Sequence, residues 1–267
     1  MQTRARVTRA VIVGGLALAL AGCGTAHPGG PAPSGGASPD PASLDAAASF
    51  SAKVTSMSFD VTIKANGSTI VETGSLALSN PLRARLKITI AGTAIEELLL
   101  GPTAYLKFPP LTAKTGKTWA KVSLATVGAK MGLDLTALLA QVKQQGPTLP
   151  VQLAITSGQV KPVGTEVVGG VSTTHYRGTV DIARSLDRFP ADLKAQMQAL
   201  IDKAAVKNVV LDLWVGPNSR PVRASESYDS KVGPVSVLTT YRDFNQPVDA
   251  TAPPAADTVD LEKLLGG

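Results

Sequence analysis

An α+β domain, built on one broad antiparallel sheet with helices against one face, is the fold class this sequence predicts. Three observations carry that prediction. Long stretches alternate apolar and polar residues with period two, turn signals separate them at short intervals, and two amphipathic segments of helical spacing interrupt the run. Alternation of this kind marks strands with one greasy face and one wet face, the habit of antiparallel sheets.

The elements follow in chain order. Leu44 to Val54 has the makings of a short helix. Met57, Phe59, Val61 and Ile63 then alternate with Ser58, Asp60, Thr62 and Lys64 in a half-buried strand. Asn66-Gly67, the strongest short hairpin signal, leads into a returning strand from Ile70 to Leu78. Leu82, Ala84, Leu86, Ile88 and Ile90 share one face of the next strand, with Arg83, Arg85, Lys87 and Thr89 on the other. Turns at Gly92 and at Gly101-Pro102 separate strands at Ala94–Leu100 and Tyr105–Phe108, and Trp119–Val122 is expected to pair nearby.

Leu135, Leu138, Leu139 and Val142 have helical spacing and stop near Gly146. A second helix opens around Pro190, a favoured first-turn residue, and aligns Leu193, Met197, Leu200, Ile201 and Ala204 on one stripe. Strands are expected around Val151–Ile155, Gly164–Val168 and Thr173–Ile182, then at Val209–Val215, Pro221–Tyr228 and Val235–Tyr241, with a turn over Gly216-Pro217-Asn218-Ser219. The Pro- and Ala-rich tail from Gln246 to Asp257 is expected to run along the surface, before a last helical turn at Leu261–Leu265. No internal repeat divides the chain.

The N-terminus carries a different kind of signal. Arg4, Arg6 and Arg9 precede an apolar run from Ala10 to Ala21, which ends at Leu20-Ala21-Gly22-Cys23. A charged start, a short apolar middle and a small-residue exit make a secretory leader. The run of about 12 residues is well short of the ~20 that a spanning helix needs. Leu-Ala-Gly-Cys resembles a bacterial lipobox, in which the cysteine thiol takes a diacylglyceryl group and becomes the mature N-terminus. Residues 1–22 are thus read as a lipoprotein signal peptide, and 23–43 as a Gly/Pro/Ser tether with a lipidated Cys23. Residues 44–267 are read as one domain. The expected location is the extracytoplasmic face of the cell membrane, held by lipid; two acyl chains anchor stably where one does not.

Composition excludes several functions. The 26 Lys and Arg exceed the 20 Asp and Glu, but three of those cations are the leader arginines, which leaves the mature chain at +3. That is an ordinary surface, and nothing in it points to nucleic acid. Cys23 is the only cysteine, so no disulfide supports the domain and its stability rests on an apolar core. His27, in the tether, and His175, in a strand, are the only histidines, and no cluster has metal-ligand spacing. No nucleophile elbow or phosphate loop is present. Glu96-Glu97 is the one adjacent acid pair; neighbours in a strand face opposite ways, so one must point inward, with a strand-edge or bulge position the favoured reading. Asp181 and Asp212 are expected on solvated faces. No enzyme and no cofactor are indicated, and an aromatic content of 4% disfavours sugar stacking.

A resemblance adds to this reading. Thr174-His175-Tyr176-Arg177-Gly178-Thr179-Val180, Leu211-Asp212-Leu213-Trp214-Val215-Gly216, Arg220-Pro221-Val222-Arg223-Ala224-Ser225 and the closing Phe244-Asn245-Gln246-Pro247-Val248 resemble the LppX/LprG family of actinobacterial lipoproteins. The lipobox, the tether, and the strand regions of Val61/Ile63 and Trp119 fit as well. The resemblance implies a LolA/LolB-like fold, a large curved antiparallel half-barrel with helices covering its concave face. It also implies a cavity that holds acylated lipids or glycolipids for carriage or presentation in the cell envelope, in some members with a membrane lipid exporter as partner.

The family has no short ligand motif, so the expected pocket lining comes from strand parity and the helix stripe: Phe59, Val61, Ile63, Leu86, Ile88, Ile90, Leu193, Met197 and Leu200. Aliphatic walls suit reversible exchange. Each buried CH₂ gains ~0.8 kcal/mol from water, yet a lipid arriving from a bilayer starts in an apolar medium, so most of that gain cancels. The alternative is a non-catalytic interaction or sensor lipoprotein that partners an envelope transporter or regulator.

Overall fold

The computed structural model describes residues 42–145, 149–157 and 159–265. The leader, Cys23 and most of the tether lie outside them. Twelve strands form one sheet: β1 (Ser56–Ala65), β2 (Ser68–Ala77), β3 (Arg83–Ile90), β4 (Thr93–Leu100), β5 (Thr103–Lys107), β6 (Trp119–Ser123), β7 (Lys161–Val168), β8 (Val171–Asp181), β9 (Asn208–Val215), β10 (Pro221–Ser230), β11 (Gly233–Arg242) and β12 (Thr258–Asp260). Their order across the sheet is β12-β6-β5-β4-β3-β2-β1-β11-β10-β9-β8-β7.

This order is two meanders joined in the middle. Hairpins make β1 to β5 neighbours in sequence and space, as they do β7 to β11, and the antiparallel pairing of β1 with β11 fuses the halves. The sheet is curved and not closed, with β12 and β7 at its edges. It departs from the expected antiparallel sheet at one edge only, where β12 runs parallel to β6. The Asn66-Gly67 turn takes φ of 48° and 72°, the left-handed conformation a two-residue hairpin needs.

The chain leaves the sheet at β6, near one edge, and re-enters at β7, the opposite edge. The connection must cross the sheet, and it carries helices α3 (Leu124–Met131), α4 (Leu135–Gln145) and α5 (Leu149–Ser157). Helix α1 (Ala42–Ser51) packs against α5, and α5 in turn against β8 and β9. The longest helix, α7 (Ala191–Ala204), follows a one-turn helix, α6 (Ile182–Ser185), in the excursion between β8 and β9. Helix α2 (Pro109–Thr115) fills the β5–β6 connection.

One apolar cluster unites these layers. Ala47 of α1, Leu124 of α3, Leu135 and Leu138 of α4, Val151 and Ala154 of α5, and Leu193 and Met197 of α7 are buried with the inward residues of the sheet.

Val151–Ile155, expected as a strand, is the middle of α5. A five-residue apolar run satisfies either periodicity. Helix wins because Val151 and Ala154, three apart, are both buried where α5 lies on β8 and β9. Helices α2 and α3 were not expected, although Pro109-Pro110 opening the first and Ser123 before the second are start signals. The Ser123 side chain accepts from the Thr126 N–H, and Gly132 closes α3 in the left-handed region.

The tail runs over the surface as expected. Asn245 N–H donates to Ser56 O, Arg85 Nε donates to Asp249 O at 3.0 Å, and Lys117 Nζ donates to Ala256 O at 2.7 Å. Arg85 stands on the outer face of β3, so the tail straps the convex side before ending in β12 and helix α8 (Leu261–Leu265). Glu262 of α8 accepts from Ser123 N–H and from the Thr126 hydroxyl, tying the C-terminus to the start of α3.

Candidate functional site: the concave face

Directly opposed residues on neighbouring strands share a face, so the register strings the sheet into rows. One inward row reads Tyr241, Phe59, Gly74, Leu86, Glu97 and Leu106. The next reads Tyr176, Leu213, Ala224, Thr239, Val61, Glu72, Ile88 and Ile95. A third reads Leu211, Glu226, Val237, Ile63, Ile70 and Ile90. Six of the nine residues expected to line a pocket therefore occupy three adjacent rows: Phe59 and Leu86, Val61 and Ile88, Ile63 and Ile90. Leu193, Met197 and Leu200 join the same cluster from α7. Ile90 and Leu200 are half-buried; the other seven are buried.

The rows also show what parity arguments overlooked. Glu72, Glu97 and Glu226 stand on this face, among aliphatic neighbours. Val61 and Ile88 flank Glu72, Leu86 and Leu106 flank Glu97, and Leu211 and Val237 flank Glu226. Glu96 points outward to a 2.8 Å ion pair with Lys107, so the Glu96-Glu97 pair does split across the sheet. Its inward member lies in mid-strand, correcting the edge or bulge position favoured from sequence.

Burial pushes the Glu72 carboxyl up to about 7. Burial, with the nearby Glu72 charge second, pushes Glu97 up to about 8. Burial raises Glu226 to about 8, partly offset by a hydrogen bond from its own backbone, and Glu226 in turn helps burial hold the Tyr241 phenol above its usual range. Glu226 is half-buried by surface, yet its Oε2 is sealed from solvent.

The convex face carries a separate polar cluster at the β7–β10 end. The His175 ring stacks on Trp214 at 4.5 Å, its Nε2 meets Asp212 Oδ1 at 2.6 Å, and its Nδ1 meets Glu166 Oε1 at 2.9 Å. Trp214 Nε1 also donates to Glu166, and Arg223 lies over the Trp214 ring. Asp212 is only 8% exposed, correcting its expected solvated position, because His175 and Arg177 of the neighbouring strand β8 pair with it. Asp181 is exposed, as expected, and caps α6. This cluster pins the edge strand β7 to its neighbours. It offers no nucleophile beside the histidine. Among the described residues no group of His, Cys, Asp or Glu has the geometry to hold a metal.

This fold recurs among solved structures. The crystal structure of LprF from Mycobacterium bovis is similar over 82% of this chain and 100% of that one, with a TM-score of 0.55 at 17% identity. The Mycobacterium tuberculosis lipoprotein LppX is matched over 80% of this chain at a TM-score of 0.49 and 21% identity. In sequence, a putative lipoprotein of Streptomyces coelicolor is 25% identical over 209 residues, 72% of this chain and 64% of that one. An uncharacterized 31.2 kDa protein of Streptomyces griseus is 32% identical over 154 residues, 56% of this chain. The chain spans half the length of the S. griseus relative and just under two thirds of the other. No family model matches. The resemblance to LppX/LprG lipoproteins read from the sequence is thus borne out, with the fold as its measure. No helix among the described residues is long and apolar enough to cross a membrane.

Proposed function

We propose that this chain is a lipoprotein anchored through Cys23 on the extracytoplasmic face of the membrane, and that it binds acylated lipids between the concave face and its helices. Three adjacent rows of mainly apolar side chains on the inner face of an unclosed sheet, roofed by helices, support this reading. An antiparallel wall suits the task because its ladder satisfies the backbone polar groups that a hydrocarbon ligand cannot. Carriage or presentation of lipid in the envelope follows from such a site, and a membrane lipid exporter is the partner the resemblance implies.

One mass-spectrometric experiment on the full chain, taken from bacterial membranes, reads both halves of the proposal. The N-terminal peptide is expected to begin at Cys23 with a diacylglyceryl mass. The organic extract is expected to contain acyl lipid at near one molecule per chain, and much less for Ile88→Trp. An unmodified Cys23 would refute the anchor, and a lipid-free chain would refute the carrier.

A further inference from the structure

Seven polar or charged side chains are buried among the described residues: Ser51, Ser56, Glu72, Glu97, Thr173, Ser185 and Asp212. Five have partners. Ser51 donates to Ala47 O, Ser56 to Gln246 O, Thr173 to Glu166 O and Ser185 to Asp181 O, and Asp212 meets His175. The two exceptions are Glu72, 1% exposed, and Glu97, 3% exposed. Glu72 Oε1 and Glu97 Oε2 are sealed from solvent and without a hydrogen-bond partner, as are Glu226 Oε2 farther along the same face and Arg223 Nε on the other. Both exceptions fall on the concave face, on β2 and β4, with Leu86 and Ile88 of β3 between them. Buried polar groups in native proteins are paired almost without exception, and an orphan asks for a missing partner.

We infer that Glu72 and Glu97 form a polar subsite within the apolar wall, which takes the hydroxyl and ester oxygens at the junction where acyl chains join a glycerol or sugar. The inference rests on the proposed lipid site and specifies its ligand. A carboxyl held neutral by burial offers one O–H donor and one carbonyl acceptor. An ester carbonyl accepts from the former and a free hydroxyl donates to the latter. The aliphatic neighbours Val61, Ile88, Leu86 and Leu106 place hydrocarbon beside that junction on either side. A cationic headgroup fits less well, because it requires ionised carboxylates, and burial holds these two neutral up to about 7 and 8.

The test uses the processed chain, residues 23–267, stripped of non-covalently bound lipid and loaded with diphenylhexatriene, a hydrocarbon dye that reads the apolar wall alone. Two competitors displace it: hexadecane, with no polar atom, and dioleoylglycerol, with two esters and one hydroxyl. Replacing both acids by methionine is expected to weaken dioleoylglycerol competition tenfold or more while leaving the dye and hexadecane unchanged. Glu72→Gln with Glu97→Gln, which keeps a donor and an acceptor, is expected to stay within threefold of the native chain. Should the methionine pair not fold, Glu72→Met and Glu97→Met alone read the same ratio. Undiminished dioleoylglycerol competition in the methionine variants overturns the subsite and leaves the lipid site standing. Failure of the native chain to bind the dye overturns the lipid site itself.

Discussion

Thermal stability falls as the pH rises from 5 to 9, by about 4–20 °C in Tm, which is the reverse of a protein held together by ionised carboxylates. The cause is the burial of Glu72, Glu97 and Glu226, whose folded values of about 7, 8 and 8 stand above the ordinary 4.5. Between 4.5 and these values the folded chain keeps protons that the unfolded chain has released. Stability must then decline with pH, at up to ~1.4 kcal/mol per unit for each group. It is fully present below about 4.5 and lost by about 8. Water entering beside an ionised carboxylate, and the mutual influence of Glu72 and Glu97, hold the total to roughly 2–5 kcal/mol. For a domain of this size that converts to the stated shift at about 2–4 °C per kcal/mol. Melting curves at pH 5, 7 and 9 check it. The triple Glu→Gln variant should show a nearly flat profile, and a native Tm that rises with pH would contradict the burial of these acids.

Phe59→Ala is the single substitution expected to cost most, about 3–5 kcal/mol by loss of a buried ring and the cavity left behind. Phe59 is fully buried in the row between Tyr241 and Gly74. Gly74 is there to admit it. A Cβ at Gly74 would lie 3.0 Å from Phe59 Cζ, 2.6 Å from Leu86 Cδ2 and 2.9 Å from Arg85 O. Gly74→Ala alone should therefore cost about 1–3 kcal/mol by overpacking. The two changes are coupled, because removing the ring relieves one of the three close contacts and leaves room for the flexible Leu86 side chain to move off the new methyl. The double variant is expected to be more stable than the sum of the singles by about 1 kcal/mol or more, as contacting pairs are. Denaturant titration of the four proteins measures this directly, and strict additivity would deny that the ring packs across the glycine.

Much of this was legible in the sequence, because alternation and turn chemistry are local. The Asn66-Gly67 hairpin, the parity of Phe59, Val61 and Ile63, and the helix from Ala191 needed no knowledge of the rest of the chain. What could not be read was non-local. Val151–Ile155 has too few residues to choose a period, and only packing on β8 and β9 makes it a helix. Asp212 is buried beside a histidine and an arginine from the neighbouring strand, so its own alternation with Leu211 and Leu213 misleads. Strand β12 joins the sheet in parallel after the tail has crossed the outer face, a path that no pattern within three residues could announce. The inward glutamates are the instructive case. Ile70-Glu72-Gly74-Leu76 and Ile95-Glu97-Leu99 have the parity of buried rows, so the signal was present; an acid at an inward position reads as an edge or bulge until the register shows aliphatic neighbours on both sides.

The central claim is that hydrocarbon tails occupy the space between the concave face and helices α1, α4, α5 and α7. A crystal structure of the chain purified without delipidation measures it most directly. The account predicts continuous rod-shaped density along Val61, Ile63, Ile88 and Ile90, with its polar end beside Glu72 and Glu97. Native side chains packed solidly from sheet to helix, with no void long enough for a fatty tail, would contradict it.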